Sequence, residues 1–285
     1  MSSITFIGQS ASGKTSALCL LHFTAIDYGP ELGIRSYMPK ILSPDYDFYD
    51  DAYRLVLRGE EVKPTDPNKK DLKIELYLNF EGWLHGKMIK LVFADMAGAI
   101  SASLMRVFPE LVGKVPDEII RELSIRGIKP DDARYLIRSI LESKGVILVA
   151  DSTKIGGSEN PDSQLSYYLN NLLLYAERNR KMHKGIGLLI TKFDKWFYLY
   201  GDSPTSEVLI SFVEDKMPQV WGIMRSLSRE KGVHTEIFCS GLEEEKEKQD
   251  NKMFVVMQDA QGRFRVKYNV EQYKKMLLWI KETFK

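Results

Sequence analysis

Cysteine is scarce in this chain: its 285 residues include two, Cys19 and Cys239. One falls in a predicted helix and the other in a predicted strand, so both read as buried, reduced thiols, the usage of a cytosolic protein. Charge imbalance is missing as well. Forty basic and 39 acidic residues leave a formal net charge of +1, and no global field points to nucleic acid or to an acidic membrane as partner. No apolar run reaches the length of a membrane span. Met1-Ser2-Ser3 is neither a secretory leader nor a myristoylation start, and Glu282-Thr283-Phe284-Lys285 carries no prenylated cysteine. The expectation is a cytoplasmic protein without an intrinsic membrane anchor, which only a partner could bring to a membrane. There is no internal repeat and no low-complexity tract. The length suits one enlarged domain or two small ones and allows a substantial core.

What the chain does carry is a phosphate-binding loop near its start. Gly8-Gln9-Ser10-Ala11-Ser12-Gly13-Lys14-Thr15 fits the pattern Gly-x4-Gly-Lys-Ser/Thr and follows the apolar run Ile4 to Ile7. A strand that ends in such a loop and runs straight into a helix presents several backbone N–H groups, and the positive end of the helix dipole, to one anion. Lys14 would reach the β- and γ-phosphates, and the Thr15 hydroxyl would ligate Mg²⁺. Ser16 completes the candidate nucleotide-binding run of Gly8, Ser10, Ala11, Ser12, Gly13, Lys14 and Thr15. The helix from Lys14 to about Ile26 places Leu18, Leu21 and His22 or Ala25 on one face, as packing on a sheet requires.

Three further stations specify the nucleotide. The run Met88 to Ala94 is a buried-strand pattern ending in Asp95-Met96-Ala97-Gly98. A carboxylate at that strand end can hold Mg²⁺ through water, and Gly98 lets a backbone N–H approach the γ-phosphate. The run Gly185 to Ile190 ends in Thr191-Lys192-Phe193-Asp194, where Asp194 can accept both the N1 and N2 protons of guanine while the Lys192 stem lies along the ring. Adenine lacks that pair of donors. Thr235 to Cys239 ends in Ser240-Gly241-Leu242, where a backbone N–H could meet the guanine O6.

In order and spacing these motifs resemble a P-loop GTPase of the Ras-like or translation-factor class, a small-GTPase-like G domain with insertions, over most of the chain. Two other short matches have the wrong context. Asp259 to Gly262 lies between two alternating runs and reads as a hairpin turn, and Asn68 to Asp71 follows a Pro-Thr-Asp-Pro loop rather than a strand. The metal and base roles therefore go to Asp95 and Asp194.

Strands are expected near residues 3 to 8, 72 to 80, 87 to 95, 145 to 151, 185 to 191 and 234 to 240, with helices in most of the intervals. The second and third should form an antiparallel hairpin. The fold class is thus α/β: a doubly wound, three-layer P-loop architecture with a mostly parallel six-stranded sheet, one antiparallel strand, and the nucleotide across the carboxyl ends of the strands. Asp151 reads as a structural strand-end aspartate. We expect a single enlarged G domain over residues 1–285. Three inserts enlarge it: about 37–70 at the first switch region, 99–143 with helices Pro116 to Ile125 and Asp131 to Glu142 at the second, and 242–268 with a charged loop and a hairpin. A final helix should run from about Val270 to Phe284. In the first insert Tyr46, Tyr49, Tyr53, Val56 and Leu57 recur at helical spacing up to Gly59, a core stripe.

The resemblance implies a threonine ahead of the second strand that ligates Mg²⁺ in the triphosphate state only. Thr65 is the candidate, with Ser43 and Thr24 as alternatives. Lys14, Thr65 and Gly98 are then the catalytic set, and Thr15, Thr65 and Asp95 the metal ligands. Where many Ras-like proteins have a glutamine after Asp-x-x-Gly, this chain has Ala99, so hydrolysis should be slow. Gln9, Arg58 or Lys63 could replace the missing group in cis, or a partner could supply it. The resulting expectation is a GTP/GDP-binding switch that signals to protein effectors and responds to GTPase-activating or exchange factors, with room for a homodimer. The rival readings are a P-loop ATPase or nucleotide kinase, and a nucleotide-locked, non-hydrolysing GTP-binding scaffold.

Overall fold

The computed structural model describes residues 2–9, 11–41, 46–60, 72–81, 87–95, 114–125, 129–178, 182–201, 204–242, 254–258, 262 and 264–284. Seven strands form one sheet in the order β2-β3-β4-β1-β5-β6-β7. They are β1 (Ser2–Gly8), β2 (Ile34–Ile41), β3 (Leu72–Phe80), β4 (Lys87–Asp95), β5 (Gly145–Asp151), β6 (Gly185–Thr191) and β7 (His234–Cys239). Only β3 runs against the others, paired antiparallel with β2 and with β4. The expected hairpin is present, from Leu72 opposite Asp95 to Phe80 opposite Lys87.

The sheet has one strand more than the six expected. Ile34 to Ile41 hides its strand character behind Arg35, Ser36, Pro39 and Lys40, which break the alternation. Its place explains the tolerance: β2 is an edge strand, where a proline's missing N–H need not cost a ladder bond. The first insert therefore begins inside the sheet. Its helix, α2 (Tyr46–Leu57), keeps the bounds of the tyrosine stripe, and Tyr53, Val56 and Leu57 pack into the core as expected.

Helices cover both faces, which makes the three layers. The central strands β5 and β6 are buried along their whole length, the reason they read as unbroken apolar runs. Alternate residues feed two cores. Val146, Leu148, Ala150, Leu188 and Ile190 pack under α3 (Pro116–Ile125), α4 (Pro130–Leu141), α5 (Pro161–Arg178), α6 (Ser206–Lys216) and α7 (Pro218–Lys231). Phe6, Phe93, Ile147, Leu189 and Phe238 pack under α1 (Lys14–Tyr28), α2 and α8 (Val270–Phe284). With neighbours on several sides, α1 is buried nearly all round, Leu20 and Phe23 included, rather than on one face. Both cysteines are buried and free, and burial pushes both thiols up.

At the amino ends of β5 and β6, glycines make room for the end of α8. A side chain on Gly145 would collide with the Phe284 ring, and a Cβ on Gly185 would lie 2.7 Å from Thr283 Cγ2 and 2.9 Å from Trp279 Cζ2. The third insert holds the expected hairpin, β8 (Val256–Gln258) against β9 (Phe264–Val266). It is tied to the end of α2, where the Phe254 N–H donates to the Gly59 carbonyl at 2.7 Å. No helix among the described residues is long and apolar enough to cross a membrane.

Two buried histidines give the fold a pH dependence. His22, on α1, lies against the rings of Tyr37 and Tyr53, with centroids 5.0 and 5.2 Å away. His183, ahead of β6, holds Nδ1 3.0 Å from the Ser143 carbonyl. Burial lowers both from the ordinary 6.5 to about 4. Between those values the unfolded chain binds protons that the folded chain refuses, so stability falls as the pH drops through this window. Urea unfolding should show a lower midpoint at pH 5 than at pH 7, and His183→Gln should shrink the difference. Equal midpoints at the two pH values would contradict this account.

Candidate functional site

The carboxyl ends of the strands meet along one edge of the sheet. Parallel pairing sets Gly8 beside Val149, Asp151 beside Thr191, and Ile190 beside Cys239. Phe6 pairs with Phe93, so Asp95, at the end of β4, stands level with Gly8. The backbone of Asp95 is thereby placed, although its side chain lies outside the described residues, as do Ser10, Ser43, Lys63, Thr65, Asn68 to Asp71, Gly98 and Ala99.

The loop after β1 is tightly built. A Cβ on Gly8 would lie 2.5 Å from the Val149 carbonyl oxygen and 2.8 Å from Ser12 Oγ, which leaves no space for a side chain. Gly13 caps α1 with φ 77°, in the left-handed region that favours glycine, and Ala11 shares it at φ 56°. No side chain caps α1, and its first turn has no acidic residue. Its leading N–H groups are thus aimed at whatever occupies the loop. Lys14 is only 3% exposed and folds back over the loop. Its ammonium donates to the carbonyls of Gly8 at 3.1 Å and Gln9 at 2.6 Å, with Ser12 Oγ at 3.5 Å.

The end of β6 touches this loop. The Thr191 hydroxyl lies 2.6 Å from the Ser12 carbonyl and 3.0 Å from that of Ala150, so it braces the loop rather than meeting a base itself. Lys192 takes a left-handed backbone conformation, φ 55°. Both its ends are held: Nζ lies 2.7 Å from Asp151 Oδ2, and its carbonyl accepts the Ser152 hydroxyl at 2.8 Å. The Asp151 carboxylate is fully buried and also accepts the Thr153 N–H at 2.9 Å, while the Lys192 side chain stays 40% exposed. Asp151 is structural, as expected, but what it fixes is the lysine proposed to flank the base. A strand-end aspartate in sequence gives no sign of which lysine it will hold.

Asp194 lies in the 3₁₀ turn Phe193–Trp196, and the β7 turn comes against it. The Phe193 N–H donates to the Ser240 carbonyl at 2.9 Å, and a Cβ on Gly241 would meet the Asp194 nitrogen at 2.7 Å. Asp194, Ser240 and Gly241 are therefore together. The choice of O6 donor narrows, because two of the three N–H groups are committed. That of Ser240 donates to the Ile190 carbonyl at 2.7 Å, and that of Gly241 to Asn269 Oδ1 at 3.1 Å. Leu242, one residue on, forms an isolated bridge with Tyr268.

Two candidate substitutes for the missing glutamine are among the described residues, and one switch alternative, Thr24, lies away from the loop. The Gln9 amide nitrogen donates to the Glu159 carbonyl at 3.3 Å and to Gln164 Oε1 at 2.6 Å, while its buried Oε1 has no hydrogen-bond partner among the described residues. Arg58 is exposed at the end of α2, next to the hairpin contact of Gly59. Thr24 is buried inside α1, where its hydroxyl donates to the Leu20 carbonyl at 2.9 Å and lies 3.0 Å from the Tyr268 hydroxyl. Ten residues of helix, about 15 Å, separate it from Lys14.

No protein-family model matches the chain, and no curated protein matches it in sequence. Among solved structures it is similar to one from the signal recognition particle receptor SRb-GTP/SRX complex of Chaetomium thermophilum. Identity there is 18%, covering 84% of this chain and 90% of that one, with a TM-score of 0.37. It is also similar to the S. cerevisiae Ski7 GTPase-like domain bound to GTP, at 11% identity over 84% of this chain, with a TM-score of 0.35. The chain spans 42% of that second structure's length. These likenesses concern fold. The chain's own strand order sets the loop between β1 and α1 at the carboxyl edge of a doubly wound, mostly parallel sheet.

Proposed function

We propose that this chain is a guanine-nucleotide switch that binds GTP and GDP with Mg²⁺, hydrolyses GTP slowly and presents different surfaces to protein partners in its two states. The observation that carries the reading is the direct bond between its two halves: Thr191, which opens the base-reading motif, holds the carbonyl of Ser12 in the phosphate loop at 2.6 Å. A loop alone would suit any nucleoside triphosphate, whereas a loop braced by the end of β6, three residues before Asp194, suits guanine.

In this reading the loop N–H groups and Lys14 bind the phosphates, and Asp194 accepts the guanine N1 and N2 protons between Lys192 and the Ser240–Gly241–Leu242 turn. The oxygen donors of Thr15 and Asp95, with Thr65, suit Mg²⁺, which when bound neutralises charge on the phosphates. With Ala99 after the metal motif and the Gln9 amide nitrogen held by Glu159 and Gln164, water positioning falls to a partner, and intrinsic turnover is slow. The segments 37–70 and 99–143 would carry the surfaces read by effectors, activating proteins or exchange factors in the cytoplasm.

The test is the nucleotide released on denaturing the purified protein, followed by a time course with added GTP. GDP recovered with slow turnover supports the switch, and GTP that persists through the time course supports the non-hydrolysing scaffold. An adenine nucleotide would leave only a phosphate-binding fold. In the same assay Asp194→Asn should weaken GDP about 30-fold, the loss of about one charged hydrogen bond, and leave ADP unchanged. Strong guanine preference in that variant would remove Asp194 from the base site.

A further inference from the structure

Among the described residues strand β7 is at the edge of the sheet, so its outward N–H and C=O groups meet no further strand there. Side chains of α8 and the residue before it meet them instead. The Asn269 amide spans two of these groups: Oδ1 accepts the Gly241 N–H at 3.1 Å and Nδ2 donates to the Cys239 carbonyl at 3.1 Å. One residue's carbonyl and the N–H two residues on are the pair that a single residue of a neighbouring parallel strand would engage with its own N–H and C=O. Gln272 continues the line by accepting the Cys239 N–H at 3.4 Å, and Lys275 by donating to the Ile237 carbonyl at 3.1 Å. Asn269, Gln272 and Lys275 recur every three residues, the spacing that keeps one face of a helix along a line. Tyr273 adds a contact from its hydroxyl to Ser240 Oγ at 2.7 Å. Asn269, Gln272, Tyr273 and Ser240 are all buried.

We infer that this stripe stands in for an eighth strand and that Asn269 is the positioning residue that holds the Ser240–Gly241–Leu242 turn against Asp194, and through it sets affinity for the base. The inference rests on the guanine reading above. Its physical content is selective. The turn touches the base side of the site, whereas the loop is braced by Thr191, so loosening the turn weakens recognition of the base and leaves recognition of phosphate in place. The side-chain amide of Gln272 also donates to the Pro204 carbonyl at 3.0 Å, which ties the segment after the Asp194 turn to the same platform.

The experiment measures GDP and tripolyphosphate affinities, the latter by competition, in wild type and Asn269→Ala. Losing two buried hydrogen bonds should weaken GDP about 10-fold, with tripolyphosphate unchanged within about twofold. GDP binding unchanged or tightened, or both ligands weakened alike, would overturn the proposal. If Asn269→Ala does not fold, Tyr273→Phe keeps the ring and removes only the contact to Ser240. A GDP loss of about threefold with tripolyphosphate intact is then expected, and no GDP loss overturns the proposal. Failure of the guanine reading appears separately and earlier, as wild-type protein that binds ADP as tightly as GDP.

Discussion

Lys14→Ala will bind GDP about 1,000-fold more weakly than wild type, because it removes a charged donor from a buried site whose ligand is an anion. The variant also leaves the carbonyls of Gly8 and Gln9 without the ammonium that now lies on them. A modest loss of stability, about 1 to 3 kcal/mol, should accompany the loss of binding. The signature that identifies a phosphate contact is that tripolyphosphate and GDP weaken together, in contrast to the base-selective loss expected for Asn269→Ala. Calorimetric titration of both ligands, beside a thermal melt, reads both effects. GDP binding within threefold of wild type would show that the loop does not hold phosphate.

The second large effect is on stability. Phe284 is 1% exposed and its ring fills the space over Gly145 and Gly185 at the amino ends of two central strands. Truncating a buried ring leaves a cavity that two strands cannot collapse into, so Phe284→Ala should cost about 3 to 5 kcal/mol and lower Tm by about 10 °C. The pairing with glycine makes a sharper test. Gly145→Ala alone should destabilise, because its new methyl collides with the ring. In the Phe284→Ala background the same methyl enters the cavity, and its cost should fall or reverse. Additive effects in the double variant would refute the proposed fit between the ring and the glycine floor.

The strands that carry the site were legible because they are central and parallel. Gly145 to Asp151 and Gly185 to Thr191 are buried on both faces, so hydrophobicity alone marks them, and the motifs at their ends follow. The edge strand β2 was not legible, since an edge tolerates Pro39 and polar residues that a central strand would exclude. At the site, the loop and the meeting of Asp194 with Ser240 and Gly241 could be anticipated from order and spacing. The partners of these residues could not. Asp151 holding Lys192 depends on a contact 41 residues apart in sequence, and Asn269 reaching across to Gly241 on one 28 residues apart.

The bond from Thr191 to Ser12 also bears on how binding energy is divided. If the loop and the base reader were independent, a nucleotide would gain from each what its separate fragments gain. Held as one piece, they present both contacts at a fixed separation, so a ligand seated at one end meets the other without a second loss of translational freedom. Guanosine and tripolyphosphate together should therefore fall far short of the intact nucleotide, a chelate effect to which the Thr191 hydroxyl adds on a frame already set by the paired strands.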